Sequence, residues 1–283
     1  MNAKKLNICI IGAGKLGSHL ITNLVSRKYS IKYVVNRDEK VNNIIRKDFK
    51  KVFVTDKISK DVINDSDVIL ICVQDRYISN VFKRILSLKL NLKNKYFIHT
   101  SGSLTSDIFK SRAVNSKRIA SFHPVQTFSS IDFKNKKIFD EVYFGIEGGS
   151  EAISLLKNIT KSLNSNYLII DKKYKTIYHI ACVISSNYLV TQYYLLDKIL
   201  RKIGINNAKA SGVFKSIVNE TISNIDKKGA VLSLTGPVVR GDKKIINEHI
   251  SEIRSKIPEL YNYYTELLKL TSQVAKEKKA LSK

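Results

Sequence analysis

A chain of 283 residues has room for two domains, or one large one, around a real hydrophobic core. Its 49 basic and 24 acidic side chains leave a formal charge of +25, yet the lysines are scattered along the whole chain, so composition predicts general stickiness to polyanions and argues against a specific nucleic-acid surface. The three cysteines, Cys9, Cys72 and Cys182, lie far apart in apolar settings, which argues against a disulfide framework or a metal site and fits a reducing cytoplasm, and no apolar run approaches the length of a membrane span.

The start, MNAKKLNICIIGAG, imitates a signal peptide, with a basic tip and then an apolar run. That run is only about seven residues long and ends in a glycine loop, so it reads as a first β-strand over 6–11. GAGKLG follows and opens the helix HLITNLVSR. IKYVV (31–35) is the second strand, DVILICV (67–73) a third apolar run and KYFIHT (95–100) a fourth. RIASFHP (118–124), VYFGIEG (142–148) and the short NYLIID (166–171) read as further strands. Helical segments such as ISNVFKRILSLKL and SEAISLLKNITKSL lie between most of them. Strands that alternate with helices, each strand apolar on both faces, predict a mostly parallel sheet covered on both sides.

After Asp171 the strand signals stop. Residues 173–203 carry apolar side chains at 177, 180, 184, 188, 195, 199 and 203, which predicts a long helix with one core face, ended by Gly204. ASGVFKSIVNETISNI, KIINEHISEIRSKI and PELYNYYTELLKLTSQVAKEK read as three more helices, and KEKKALSK as a frayed end. The expected organisation is a Rossmann-type α/β domain over 1–171 and an all-helical substrate and dimerisation domain over 172–283.

Gly12-Ala13-Gly14-Lys15-Leu16-Gly17 fits G-x-G-x-x-G and sits where the motif carries meaning, directly after a strand and at the start of a helix. Gly12 permits the tight turn, Gly14 lets backbone approach a pyrophosphate, and Gly17 lets the helix pack closely on the strand. The helix N-terminus then offers N–H groups to phosphate. The second strand ends in YVVNRD, where an NAD site usually places an acidic residue for the ribose 2′-hydroxyl. Asn36 and Arg37 stand there instead, and Arg37 can fork onto a 2′-phosphate, which favours NADP over NAD. Ligands of open α/β sheets bind outside the carboxyl ends of the strands. That rule gathers CVQD (72–75), HTSGSL (99–104) and FHPVQTF (122–128) at one cleft. Besides the loop residues Gly12, Gly14, Lys15, Leu16 and Gly17, the expected cofactor contacts are therefore Asn36, Arg37, Val73, Gln74, Ser101 and Gly102. His99 and His123 either meet a ligand or are strand-end histidines bonded to backbone.

In this order, GAGKLG, CVQD, HTSGSL, FHPVQTF, YHIACVISSNYLV and LTGPVVRGD resemble the bacterial proteins that join a Rossmann-like domain to domain of unknown function 2520. The resemblance covers nearly the whole chain. It implies an NADP-dependent oxidoreductase without an established substrate. More distantly the chain is similar to pyrroline-5-carboxylate reductase, prephenate dehydrogenase and the 6-phosphogluconate dehydrogenase superfamily. In those enzymes substrate lies between a Rossmann domain and a helical domain, and many are dimers through the helices. His123-Pro124 is similar to the His-Pro after a late strand of prephenate dehydrogenases, which implies substrate contacts from both residues. The chain matches the complete catalytic signature of none of these enzymes.

On a wheel of about 100° per residue, Lys175, His179, Cys182 and Ser186 fall within a sector of about 60°. Ile177, Ile180, Ala181, Ile184 and Tyr188 form the opposite, core face, and Asn187 sits on the shoulder. The polar stripe is expected to face the cofactor cleft. His179 is the candidate proton donor or acceptor, Lys175 would stabilise an anion or orient a carboxylate, and Ser186 and Asn187 would hydrogen-bond substrate. The alternative is a buried polar network that fixes helix packing; Cys182 reads as a small apolar filler. In LTGPVVRGD, Gly236-Pro237 is a rigid turn and Asp242 a candidate helix cap. Arg240 is either a bidentate clamp for an anionic substrate or part of a helix–helix loop.

Two functions follow. One is an NADP-dependent oxidoreductase acting on a small, anionic carbonyl or imine compound, working as a cytoplasmic homodimer. The other is a protein that senses NADP(H) or another nucleotide without turning it over.

Overall fold

The computed structural model describes residues 3–282, which form two compact units, one up to Ser186 and one from Asn187 on. The first unit is built on an eight-stranded sheet in the order β3-β2-β1-β4-β5-β6-β7-β8. Its strands are β1 (Asn7–Ile11), β2 (Ser30–Val35), β3 (Phe53–Thr55), β4 (Val68–Ile71), β5 (Tyr96–His99), β6 (Ile119–Pro124), β7 (Tyr143–Gly148) and β8 (Asn166–Ile169). All neighbours are parallel except β6 and β7. Alternate residues point to opposite faces of a strand, so a strand covered on both sides must be apolar throughout. In β1, Ile8 and Ile10 enter one core with α1 (Lys15–Ser26), while Cys9 and Ile11 enter the other with α3 (Lys60–Asn64) and α4 (Asp75–Leu86). Helix α5 (Ser150–Ser162) adds Leu155, Leu156 and Ile159 to the first core. The Rossmann-type sheet followed by helices is thus the observed architecture.

Strand β3 and helix α3 have no counterpart in the sequence reading. β3 is three residues long, and Phe53 is exposed, so neither periodicity nor an apolar run announces it. Asp38 caps α2 (Glu39–Asp48) and Ser59 caps α3 through their side chains. The single antiparallel pair has room for Pro124. It lies opposite Phe144, one step before the bond from Val125 N–H to the Tyr143 carbonyl, where the ladder needs no donor.

Helix α6 (Lys175–Val183) belongs to the sheet-bearing unit, so the compact units divide at Ser186, beyond the expected Asp171. A π-helical turn, Ile184–Tyr188, precedes α7 (Leu189–Lys202). The helix then ends at Gly204, which adopts φ +85°. In the second unit follow α8 (Ala210–Val213), α9 (Lys215–Ser233), α10 (Pro237–Arg240), α11 (Lys243–Lys256) and α12 (Tyr261–Leu281). The end expected to fray is helical as far as Leu281, with Lys278 Nζ donating to the carbonyls of Leu232 and Leu234; Lys283 lies outside the described residues.

The expected core face of the long helix is not a core within one chain. Ile177 is 63% exposed, Ile180 51%, Ile184 54% and Tyr188 56%, while Lys175 is only 1% exposed. Within α6 the wheel groups the side chains, but it does not say which side meets protein. Cys9, Cys72 and Cys182 are free thiols, and no described helix is long and apolar enough to cross a membrane.

Candidate active site at the carboxyl edge of the sheet

Because β1, β4, β5 and β6 run parallel, the segments that follow them share one edge. The glycine loop comes first. Gly12 has φ +100°, and a Cβ there would lie 2.8 Å from the Cys72 carbonyl oxygen. A Cβ on Gly17 would sit 2.1 Å from the Gly12 carbonyl oxygen, so the first turn of α1 rests directly on the loop. At Gly14, the N-cap of α1, a Cβ would meet nothing within 4 Å. Two glycines are thus needed by the protein itself, and the third faces open space, as a pyrophosphate cradle requires. Lys15 is exposed and Leu16 half-buried beside it.

Asn36 ties this loop to the end of β2: its Oδ1 accepts from Ala13 N–H at 3.2 Å and its Nδ2 donates to Asn42 Oδ1 at 3.0 Å. Asp38, the acidic residue next along, caps α2, accepting from Lys40 N–H at 3.0 Å and Val41 N–H at 3.3 Å. Arg37 is exposed and, among the described residues, has no ion-pair partner. Val73 touches the space beside Gly12, and Gln74 opens α4.

The segment after β5 is held by its own polar groups. Ser101 Oγ donates to Asp75 Oδ2 at 2.6 Å and accepts from Leu104 N–H at 3.0 Å. His99 is fully buried, accepting from Ser101 N–H at Nδ1 and reaching the Thr105 carbonyl through Nε2, each at 3.2 Å. Both ring nitrogens are satisfied, and burial pushes its pKa down to about 4. His99 is therefore a structural neutral imidazole.

Helix α6 brings the remaining groups. Lys175 Nζ donates to Ser121 Oγ at 2.6 Å, and Ser121 Oγ donates on to the Ser101 carbonyl at 3.1 Å. Burial is the main cause that lowers the Lys175 pKa to about 8, with the Glu147 carboxylate acting in the opposite sense. Tyr178 Oη lies 2.9 Å from His123 Nδ1, with the two rings perpendicular at 88°. The His123 and His179 rings stand 5.9 Å apart at 83°. A Cβ on Gly102 would be 2.6 Å from His179 Nδ1 and 2.8 Å from His123 Nε2. Gly102 is thus the floor on which two imidazoles converge. His179 Nδ1 is buried without a hydrogen-bond partner among the described residues. Burial first, and then the Lys175 charge, lower the His123 pKa to about 4.

Of the residues singled out from sequence, Lys175, His179, His123 and Gly102 come together, and the glycine loop, Asn36 and Arg37 form a second group on the same edge. Cys182 is half-buried beside Tyr178. Ser186 and Asn187 fall in the π-turn, where a wheel of 100° per residue no longer applies, and they fall in different compact units. Pro124 is buried in the sheet and has no polar side-chain atom. Arg240 is exposed, and its Nε donates to Asp242 Oδ2 at 2.8 Å; contrary to the sequence expectation, the Asp242 side chain makes no cap to α11. Sequence reasoning missed Ser121, Tyr178 and Gly145. Two signals were present. Ser121 shares a strand face with His123, two residues on. Tyr178 lies about 60° from Lys175 on the helical wheel.

Residues 7–102 match the family described as NADP oxidoreductase, coenzyme F420-dependent, and residues 142–268 match domain of unknown function 2520. A comparison with curated proteins finds no match. Among solved structures, a Thermotoga maritima protein is 28% identical, with TM-score 0.77, over 96% of this chain and 99% of its own. A Bacteroides fragilis protein provisionally described as an NADP oxidoreductase is 22% identical, with TM-score 0.71, over 96% and 100%. Pyrroline-5-carboxylate reductase from Coxiella burnetii is 15% identical, with TM-score 0.57, over 96% and 98%. The last two likenesses are of fold. The resemblance read from the sequence motifs is thereby borne out.

Proposed function

We propose that this chain, which joins a segment of the NADP oxidoreductase family to domain of unknown function 2520 and has the fold of the NAD(P)-dependent oxidoreductases, reduces or oxidises a small anionic carbonyl or imine compound with NADP. The observation that carries the proposal is the meeting of His123 and His179 over Gly102, with the Lys175 charge acting on His123 from its seat on Ser121, on the sheet edge that also holds the glycine loop. A bound nicotinamide dinucleotide would supply or accept the hydride. The residues present fit such a group: Gly14 faces open space, Asp38 is committed to a helix cap, and Arg37 is free to take a 2′-phosphate.

The chain's own residues would manage charge and protons. Reduction of C=O or C=N builds negative charge on the heteroatom, which must be protonated. Lys175, held at Nζ by Ser121, places a positive charge there at neutral pH and favours an anionic substrate. His179, with an unpaired ring nitrogen beside Gly102, is placed to pass a proton. A sensor would need the glycine loop and Arg37 alone, whereas the buried lysine and paired imidazoles favour chemistry over sensing. The apolar row Ile177, Ile180, Ile184 and Tyr188 supports a homodimer in which a second copy covers it.

The test is a fluorescence titration of nucleotide-free protein with NADPH and with NADH, on wild type and Arg37→Ala. NADPH should bind in preference, and the variant should lose about 10- to 100-fold in NADPH affinity, the worth of charge-assisted hydrogen bonds, with little change for NADH. Equal losses would remove the 2′-phosphate assignment, and no binding of either nucleotide would remove the oxidoreductase reading.

A further inference from the structure

His123 is held by a contact that sequence does not announce. Its Nδ1 meets Tyr178 Oη at 2.9 Å, edge to face. The phenol has its seat because residue 145 on β7 is glycine; a Cβ there would come within 2.3 Å of Oη. The other ring nitrogen, Nε2, points to the floor at Gly102, opposite the unpaired Nδ1 of His179.

One hydrogen bond fixes one tautomer, once its direction is known. Burial raises the Tyr178 pKa well above the usual phenol value, so its oxygen keeps its proton at any ordinary pH. An imidazole nitrogen is a strong acceptor and a phenol oxygen a weak one. Of the other polar neighbours of the phenol, Cys182 offers only a weakly accepting sulfur, and the Gly145 backbone favours the phenol oxygen as an acceptor, which leaves the hydroxyl proton for Nδ1. The hydroxyl therefore donates to Nδ1, which leaves the imidazole proton on Nε2. The charged and titratable groups around the ring are Lys175, His179 and Asp75; burial and the first two disfavour a second proton on His123, and Asp75 only weakly opposes them.

We infer that Tyr178 is a positioning residue, whose hydroxyl donates to Nδ1 of His123 and holds that histidine as the neutral Nε2–H tautomer, a hydrogen-bond donor toward the heteroatom of the bond that is reduced or formed. The role toward substrate rests on the oxidoreductase reading; the tautomer does not. No proton leaves His123 in this role. The ring polarises the heteroatom as a neutral donor, and the proton that completes the reaction comes from another group. Beside it, the unpaired Nδ1 of His179 faces the same floor and is the group placed to pass that proton, so the two rings divide polarisation and proton transfer between them.

The experiment is a long-range ¹H–¹⁵N spectrum of the full chain labelled at its five histidines, with His123 assigned through His123→Gln. At pH 7 His123 should show a protonated Nε2 and a bare Nδ1. Tyr178→Phe keeps the ring and removes the donor, so His123 should move to a mixture of tautomers. His99, bonded at both nitrogens within the sheet unit, should stay unchanged and reports an intact fold. A wild-type spectrum with the proton on Nδ1 overturns the inference whatever the variant does. So does a His123 signal that is the same in wild type and in a folded Tyr178→Phe. NADPH titration of the same samples separates the two readings. The Nε2–H tautomer without nucleotide binding keeps the positioning role and removes the oxidoreductase; binding with the Nδ1–H tautomer does the reverse.

Discussion

Gly14 and Gly17 belong to one motif, yet the structure gives them opposite costs on replacement by alanine. At Gly17 the new Cβ would stand 2.1 Å from the carbonyl oxygen of Gly12, a backbone atom that cannot swing aside. Overpacking of this kind costs about 1–3 kcal/mol. At about 2–4 °C per kcal/mol for a unit of this size, Gly17→Ala should melt about 2–12 °C below wild type. At Gly14 the new Cβ meets no protein atom within 4 Å, and φ is −72°, which alanine adopts readily. Gly14→Ala should therefore stay within about 0.5 kcal/mol of wild type, or gain slightly because the unfolded chain loses freedom. It should nevertheless bind NADPH at least about tenfold more weakly, because the methyl occupies the path of the pyrophosphate, and tenfold is about 1.4 kcal/mol. The assays are thermal melting and nucleotide titration of both variants at one protein concentration. Gly14→Ala with wild-type NADPH affinity would refute the cradle. Gly17→Ala with a wild-type melting temperature would refute the packing argument.

Lys175 carries a pH signature. Its pKa falls from 10.5 in the unfolded chain to about 8 in the fold, so between those values the unfolded chain binds more protons and stability rises with pH, by about 3 kcal/mol. In Lys175→Met this rise should vanish; the variant should be no less stable than wild type at pH 7, and its relative advantage should shrink from pH 8 to 10.5. Urea midpoints across that range decide it, and a loss of several kcal/mol at pH 7 would mean that the ammonium has a compensating partner. Sedimentation equilibrium should find wild type as a dimer and Ile180→Glu with Ile184→Glu shifted to monomer; a monomeric wild type would leave the apolar row without its proposed cover.

Much of the sheet was legible because its signals are local. A strand buried on both faces must be apolar throughout, and six residues of G-x-G-x-x-G specify a turn and a helix start without help from distant chain. Strand β3 escaped because three residues carry too little pattern, and its pairing with β2 supplies the order that propensity does not. Asp38 agrees with the sequence reading that put Asn36 and Arg37 at the ribose position: the acidic residue lies just beyond, and the N-terminus of α2 claims it.

At the candidate site the division is sharper. Sequence by itself determined that Lys175, His179 and Cys182 share a helix side and that polar segments follow β1, β4, β5 and β6; Ser186, also placed on that side, falls in the π-turn beyond α6. It did not determine which side of α6 is buried, because periodicity measures the angle between side chains and not what stands opposite them. Apolar residues were expected inward, yet Ile177 and Ile180 are exposed and Lys175 is buried, its ammonium donating to Ser121 on β6. Only the tertiary structure set Tyr178 against His123 and made Gly102 and Gly145 necessary. Those contacts close loops of tens of residues, and no window along the chain contains both partners.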